Sequence, residues 1–224
     1  MITDDPGTPG DGHWEINTAA LTNRIGGVGF YQLPLVDINY GVGDRIQLKY
    51  QVPWVVTADH GDLRGGPGDS LVGLKWRFFD AGPSAWQIST YPQVQFNYTS
   101  SSAARGLADS GTSLLLPLEF MRNFGSFDLN FEVGRWLRPA EQPDTWIGGL
   151  VAGREITKGV ELIAEMHDEI QTNSPRSELI ANLGARWDLS ERYTLLLSAG
   201  RDLRNRLAPT NSLLTYVGLQ TRLP

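Results

Sequence analysis

Residues 45 to 54 read Arg45-Ile46-Gln47-Leu48-Lys49-Tyr50-Gln51-Val52-Pro53-Trp54. Every even position is apolar or aromatic and every odd one through Gln51 is charged or an amide, with Pro53 the single departure. Successive side chains of a strand point to opposite faces, so this stretch is a strand with one greasy face and one wet face. The same alternation returns along the chain. Val72, Leu74, Trp76 and Phe78 oppose Gly73, Lys75 and Arg77. Trp86, Ile88, Val94, Phe96 and Tyr98 oppose Gln87, Ser89, Gln93, Gln95 and Asn97, and Phe127, Leu129, Phe131 and Val133 oppose Asp128, Asn130 and Glu132.

Alternation bounded by Gly, Pro, Asn and Asp predicts twelve strands, near 13–22, 30–41, 44–56, 69–79, 85–98, 111–122, 126–138, 144–156, 160–170, 178–188, 192–202 and 212–223. Short turns at 41–44, 80–83, 123–125, 157–159 and 189–191 interleave with longer polar loops at 57–68, 99–110, 139–143, 171–177 and 203–211. Short turns on one side and long loops on the other are the asymmetry of an outer-membrane barrel. The expectation is therefore an all-β chain, a closed antiparallel up-and-down transmembrane β-barrel of 12 strands. Residues 1–224 form one domain, with 1–12 an extended N-terminal segment.

Segments 160–170 and 176–187 contain good helix formers, but Glu161, Glu165, His167 and Glu169 alternate with Leu162, Ala164 and Met166, which favours strands. Pro34, Pro53, Pro92 and Pro117 fall inside predicted strands, where each removes a ladder donor. Bulges are expected there, above all at Pro92 and Pro117.

Bulk composition does not decide between lipid and water as the neighbour of the greasy face. The 224 residues include 25 Gly and 13 Pro, carry 20% charged residues and have a mean hydropathy of -0.24. A membrane barrel is polar inside and escapes average hydropathy. No apolar run reaches the roughly 18 residues of a membrane helix. Cysteine is absent, which removes disulfides, thiolate metal sites and a cysteine nucleophile. A net charge of -6 without a basic run argues against a nucleic-acid partner. Residues 1–12 lack the basic-then-apolar pattern of a secretory signal, consistent with a cytoplasmic chain or with a signal already removed.

Trp14, Tyr40, Trp54, Trp76, Phe78, Trp86, Tyr98, Phe120, Phe127, Trp187 and Tyr193 fall on the outer face, mostly near strand ends, as two interfacial girdles would. The competing reading is a soluble sandwich with these rings in its core. On the inner face, Arg45, Lys49, Lys75 and Arg77 come from strands three and four. Asp128, Glu132, Glu155, Glu161, Glu165 and Glu169 come from strands seven to nine. In a ring of twelve, a basic wall would partly face an acidic one. The lining expected to meet a solute is Arg45, Lys49, Lys75, Arg77, Glu132, Glu161, Glu165 and Glu169. A transverse field across a water-filled lumen favours small polar solutes, whereas charges that pair across it would close the barrel.

Reaction chemistry has little to stand on. The histidines are His13, His60 and His167, and no Gly-x-Ser-x-Gly elbow, His-Glu-x-x-His helix or phosphate loop occurs. His60 beside Asp59 and Asp62 reads as a solvated loop feature. No enzyme, metal or cofactor is expected.

The opening Thr3-Asp4-Asp5-Pro6-Gly7-Thr8-Pro9-Gly10-Asp11-Gly12-His13-Trp14-Glu15-Ile16-Asn17 resembles the mature start of a family of outer-membrane transporters assigned to the phenol meta-cleavage degradation pathway. Similar too are 40–44, 49–54, 68–78, Tyr91-Pro92-Gln93 and Leu116-Pro117-Leu118, with the likeness looser after about residue 125. The resemblance implies a bacterial outer-membrane β-barrel, lipid outside, passing small molecules that include aromatic compounds. Such barrels commonly finish on an aromatic residue, but this chain finishes Thr221-Arg222-Leu223-Pro224, which bears on assembly more than on fold.

Overall fold

The computed structural model describes every residue except 26, 83, 141 and 207–211. Position 83 of one expected turn and positions 141 and 207–211 of two expected loops therefore lie outside the described residues. Fourteen strand segments follow in chain order. They are β1 (Trp14–Ile25), β2 (Val28–Val42), β3 (Ile46–Asp59), β4 (Asp62–Pro67), β5 (Ser70–Asp80), β6 (Trp86–Thr90) and β7 (Gln93–Phe96). A short helix, α1 (Ser100–Ala104), precedes β8 (Ser113–Asn123), β9 (Phe127–Leu137), β10 (Thr145–Thr157), β11 (Val160–Gln171), β12 (Ser177–Asp188), β13 (Tyr193–Asn205) and β14 (Ser212–Leu223).

These segments make twelve staves, because two staves are interrupted. β4 and β5 pair with successive halves of β3, from Trp54 to Asp59 and from Ile46 to Gln51. β6 and β7 both lie between β5 and β8. Every neighbouring pair is antiparallel, and β1 pairs with β14 over their full lengths, which closes the ring. Closure pairs the ring all the way round, the condition for a sheet to sit in hydrocarbon, and leaves only β4, beyond β5 at the long-loop end, with β3 as its one strand neighbour.

Proline accounts for the interruptions. Pro53 faces the break between β4 and β5, where its carbonyl accepts the Gly68 N–H at 3.0 Å. Pro92 lies in the break between β6 and β7 and accepts from Leu74 N at 3.1 Å. A register shift between Gln32 and Leu35 accommodates Pro34. Pro117 differs from expectation: it keeps unbroken register with Gly134, with no bulge. Its missing donor faces the gap between β6 and β7, and its carbonyl accepts the Thr90 hydroxyl at 2.8 Å.

The polar stretch expected as a loop at 57–68 is instead mostly strand. β3 runs on to Asp59 and returns as β4 through His60 (φ 45) and Gly61 (φ 94). Two consecutive positive φ values form the tight hairpin turn whose twist matches its strands. The segments with helical composition are strands β11 and β12, paired from Val160–Trp187 to Ile170–Ser177.

The outward face is apolar from stave to stave. Trp14, Trp54, Trp76, Phe78, Trp86, Tyr98, Phe127, Trp187 and Tyr193 are exposed, as are mid-strand Leu116, Phe131, Leu150, Leu162, Met166 and Leu183. The buried set, by contrast, is largely polar: Lys75, Ser89, Glu119, Asn130, Glu132, Glu165, His167 and Asn182. This inversion of the globular rule is what a lipid-facing barrel with a polar interior requires. No helix among the described residues is long and apolar enough to cross a membrane, which leaves strand crossing untouched.

Candidate functional site: the strapped lumen

β1 begins on the short-turn side, and the residues before it turn into the barrel. Gly12 N donates to Gly41 O at 3.0 Å and Gly41 N to His13 O at 2.9 Å, fixing the root of this segment against β2. Gly43 N donates to the Asp11 carboxylate at 2.7 Å. A side chain at position 41 would place its Cβ 1.8 Å from Gly10 O, so only glycine permits this approach.

From that root, residues 2–8 cross the lumen as a strap. The Lys75 ammonium contacts the Asp4 carboxylate at 2.8 Å and also donates to Asp5 O. The Asn130 amide donates to Asp4 O at 2.6 Å. Glu165 accepts the backbone N–H groups of Ile2 at 2.8 Å and Thr3 at 2.6 Å, together with the Asn182 amide at 2.6 Å. The Thr3 hydroxyl and His167 Nδ1 are hydrogen-bonded at 3.2 Å. Arg186 reaches Asp5 at 3.7 Å and Glu161 at 3.6 Å.

Two registered rows across the sheet explain why these side chains meet. One row sets Glu119, Glu132, Gly149 and His167 side by side on β8, β9, β10 and β11. The next sets Asn130, Val151, Glu165 and Asn182 on β9 to β12. Gly149 leaves the space Thr3 occupies: a Cβ there would lie 2.1 Å from the Thr3 hydroxyl.

The predicted lining residues divide by depth. Lys49 lies 3.5 Å from Asp37 on the adjoining stave. Lys75 is 2% exposed and has Glu119 at 3.7 Å as well as Asp4, with the Tyr91 ring 4.5 Å below its ammonium. Burial of that charge is tolerable because it is paired and hydrogen-bonded. Glu132 and Glu165 are buried beside the strap, while Glu161 stands near the short-turn end and Glu169 lies 3.7 Å from His167. Arg77 binds Asp44 O at 2.6 Å and Asp80 at 3.4 Å, at the short-turn rim. Arg45 occupies the turn between β2 and β3, exposed, and does not join the residues around the strap.

Contributors that escaped the sequence reading include Glu119, Asp4, Asp37, Asn182 and Arg186. Glu119 is the lone carboxylate on the inward side of β8, among Ser113, Leu115, Pro117 and Met121, and that singularity was a usable signal. Asp4 carried no such signal, because nothing local says that a Gly- and Pro-rich segment turns inward.

With the strap in place, a cavity of about 690 Å³ remains, lined by strap residues and by Asp37, Lys49, Lys75, Glu132, His167 and Glu169. A second cavity of about 310 Å³ lies at the long-loop mouth, bounded by Asp109, Arg138, Gln142 and Gln171, and Glu169 lines both. His60 is exposed beside Asp59 at 2.5 Å, and His13 bonds Asp11 O at 2.7 Å. No group of three or more His, Asp or Glu among the described residues is placed to hold a metal ion.

No family model and no curated protein sequence matches the chain. Its fold does match solved structures. An outer-membrane channel from Pseudomonas putida F1 superposes with a TM-score of 0.75 at 11% identity, covering 100% of both chains. The NanC porin gives 0.68 at 6% identity, covering 93% of this chain and 100% of its own. The KdgM porin, in complex with disordered oligogalacturonate, gives 0.64 at 11% identity, covering 92% and 98%. At such identities the likeness is one of fold: the closed twelve-stave barrel is that of outer-membrane channels and porins.

Proposed function

We propose that this chain is a passive bacterial outer-membrane channel for small polar solutes, with residues 2–8 acting as a strap that narrows the lumen. The observation that carries this reading is the pairing of an apolar outer face with a polar lumen crossed by a segment whose links to the wall are mainly hydrogen bonds and ion pairs, with Pro6 its one fully buried side chain. Polar contacts of this kind exchange with water and solute far more readily than a packed apolar plug. Solute entering at the long-loop mouth would pass Glu169 and meet the strap at mid-barrel. Along this path Lys49 and Lys75, with Arg77 and Arg45 towards the short-turn rim, oppose Glu132, Glu161, Glu165 and Glu169, and the resulting field acts on dipolar solutes. Polar aromatics are compatible with the lining, which includes the rings of Trp136 and Tyr216.

A second reading, a closed barrel with a structural role, draws on the same strap, since its contacts fill the middle of the lumen. Planar-bilayer recording separates the two. The channel reading expects small conductance from the intact protein and a severalfold rise in Asp4→Ala with Asp5→Ala. Absence of current from both, with folding verified by heat-dependent gel mobility, rejects the channel.

A further inference from the structure

The strap is a polypeptide, and its contacts record what the lumen recognises. At one point it offers a carboxylate, Asp4, which Lys75 takes at 2.8 Å. One and two residues earlier it offers N–H donors, those of Thr3 and Ile2, which Glu165 takes at 2.6 and 2.8 Å. An extended chain advances about 3.3–3.6 Å per residue, so the two stations are spaced for groups a few bonds apart. We infer that this site takes amphoteric solutes, amino acids or short peptides, whose carboxylate replaces Asp4 at Lys75 and whose ammonium or N–H groups replace the strap amides at Glu165. The inference rests on the channel reading and narrows its solute class.

The charges around the strap argue against simpler solutes. A purely anionic solute would bring Glu165, which takes two strap N–H groups, no donors in their place. The buried Lys75 ammonium repels a purely cationic one in the same place. An amphoteric solute satisfies both walls at once, and a transverse field orients it. Donors are wanted as well: the Oδ1 of Asn130, a residue 4% exposed in the Glu165 row, has no hydrogen-bond partner. Because the strap is tethered, its effective concentration is high, and a free solute competes in the millimolar range.

The test records ionic current through Asp4→Ala with Asp5→Ala protein in planar bilayers while glycylglycine, acetate, methylammonium or neutral N-acetylglycinamide is added. Glycylglycine is expected to half-block at a concentration about tenfold below any of the others, since it alone engages both stations with charge-assisted bonds. Glu165→Gln in the same background is expected to remove that advantage. Half-block by all four probes within about twofold of one another overturns the inference and leaves the channel intact. If no current flows at all, the channel reading fails separately. Calorimetry in detergent then decides: heat with glycylglycine but not N-acetylglycinamide keeps the amphoteric site, and heat with neither removes it.

Discussion

The ammonium of Lys75 on β5 sits 2.8 Å from the carboxylate of Asp4, joining the barrel wall to the strap that crosses it. The same ammonium lies 3.7 Å from Glu119, two staves along, whose other contact is the Ser89 hydroxyl at 2.5 Å. One buried cation therefore holds both the strap and the barrel wall.

Lys75→Met leaves Asp4 and Glu119 without their cation. Breaking a buried ion pair by removing one partner costs about 3–5 kcal/mol. Urea unfolding in lipid vesicles should register that loss, and adding Glu119→Gln should restore most of it. Equal stability of wild type and Lys75→Met would mean that lumen water, not the protein, solvates this charge.

Gly41→Ala attacks the strap at its root without touching the lumen. The new methyl collides with Gly10 O, a backbone atom, so the segment itself must move. Amide exchange at Ile2 and Thr3 should accelerate at least about tenfold, while the strands keep their protection. Unchanged exchange at those two amides would show that the strap is held from its tip alone.

Leu150, exposed midway along β10 between Phe131 and Met166, is placed to meet the hydrocarbon midplane. Leu150→Arg should destabilise the vesicle-embedded barrel by about 2–4 kcal/mol, the cost of a cation at that depth. Glu132→Gln, inward at the neighbouring register, should cost far less. A negligible effect of Leu150→Arg would contradict lipid as the neighbour of this face.

Asp144, in the loop leading to β10, accepts the Arg138 backbone N–H at 2.9 Å and the Arg135 guanidinium at 2.7 Å. Those donors hold its carboxyl below the usual aspartate range. A lowered folded value stabilises the loop above the ordinary aspartate pKa of about 4, and the contribution is lost as the pH falls through the lowered value. The Arg135 guanidinium lies 5.3 Å from the Trp146 ring, so Trp146 fluorescence should change in acid below about pH 4. The same transition should be missing from Asp144→Asn.

The staves were legible because period-two alternation is a local property: Ile46 to Val52 shows its two faces without reference to any partner. Breaks at proline were legible for the same reason, although whether a proline bends its own strand depends on the neighbour. Pro117 keeps its register because the gap on its donor side belongs to β6 and β7. The extension of β3 and β4 through His60-Gly61 was concealed by composition, since strands that outgrow the membrane are polar on both faces.

Sequence by itself determined that twelve alternating segments would form a sheet with an apolar side and a polar side, because each side chain's direction follows from its position in the strand. Tertiary structure alone decided which polar groups share a row, since Glu119, Glu132 and His167 meet only through register across four staves. It also decided that residues 2–8 enter the lumen, because that choice is made by Lys75, Glu165 and Asn130, which lie 71, 163 and 126 residues away from their strap partners.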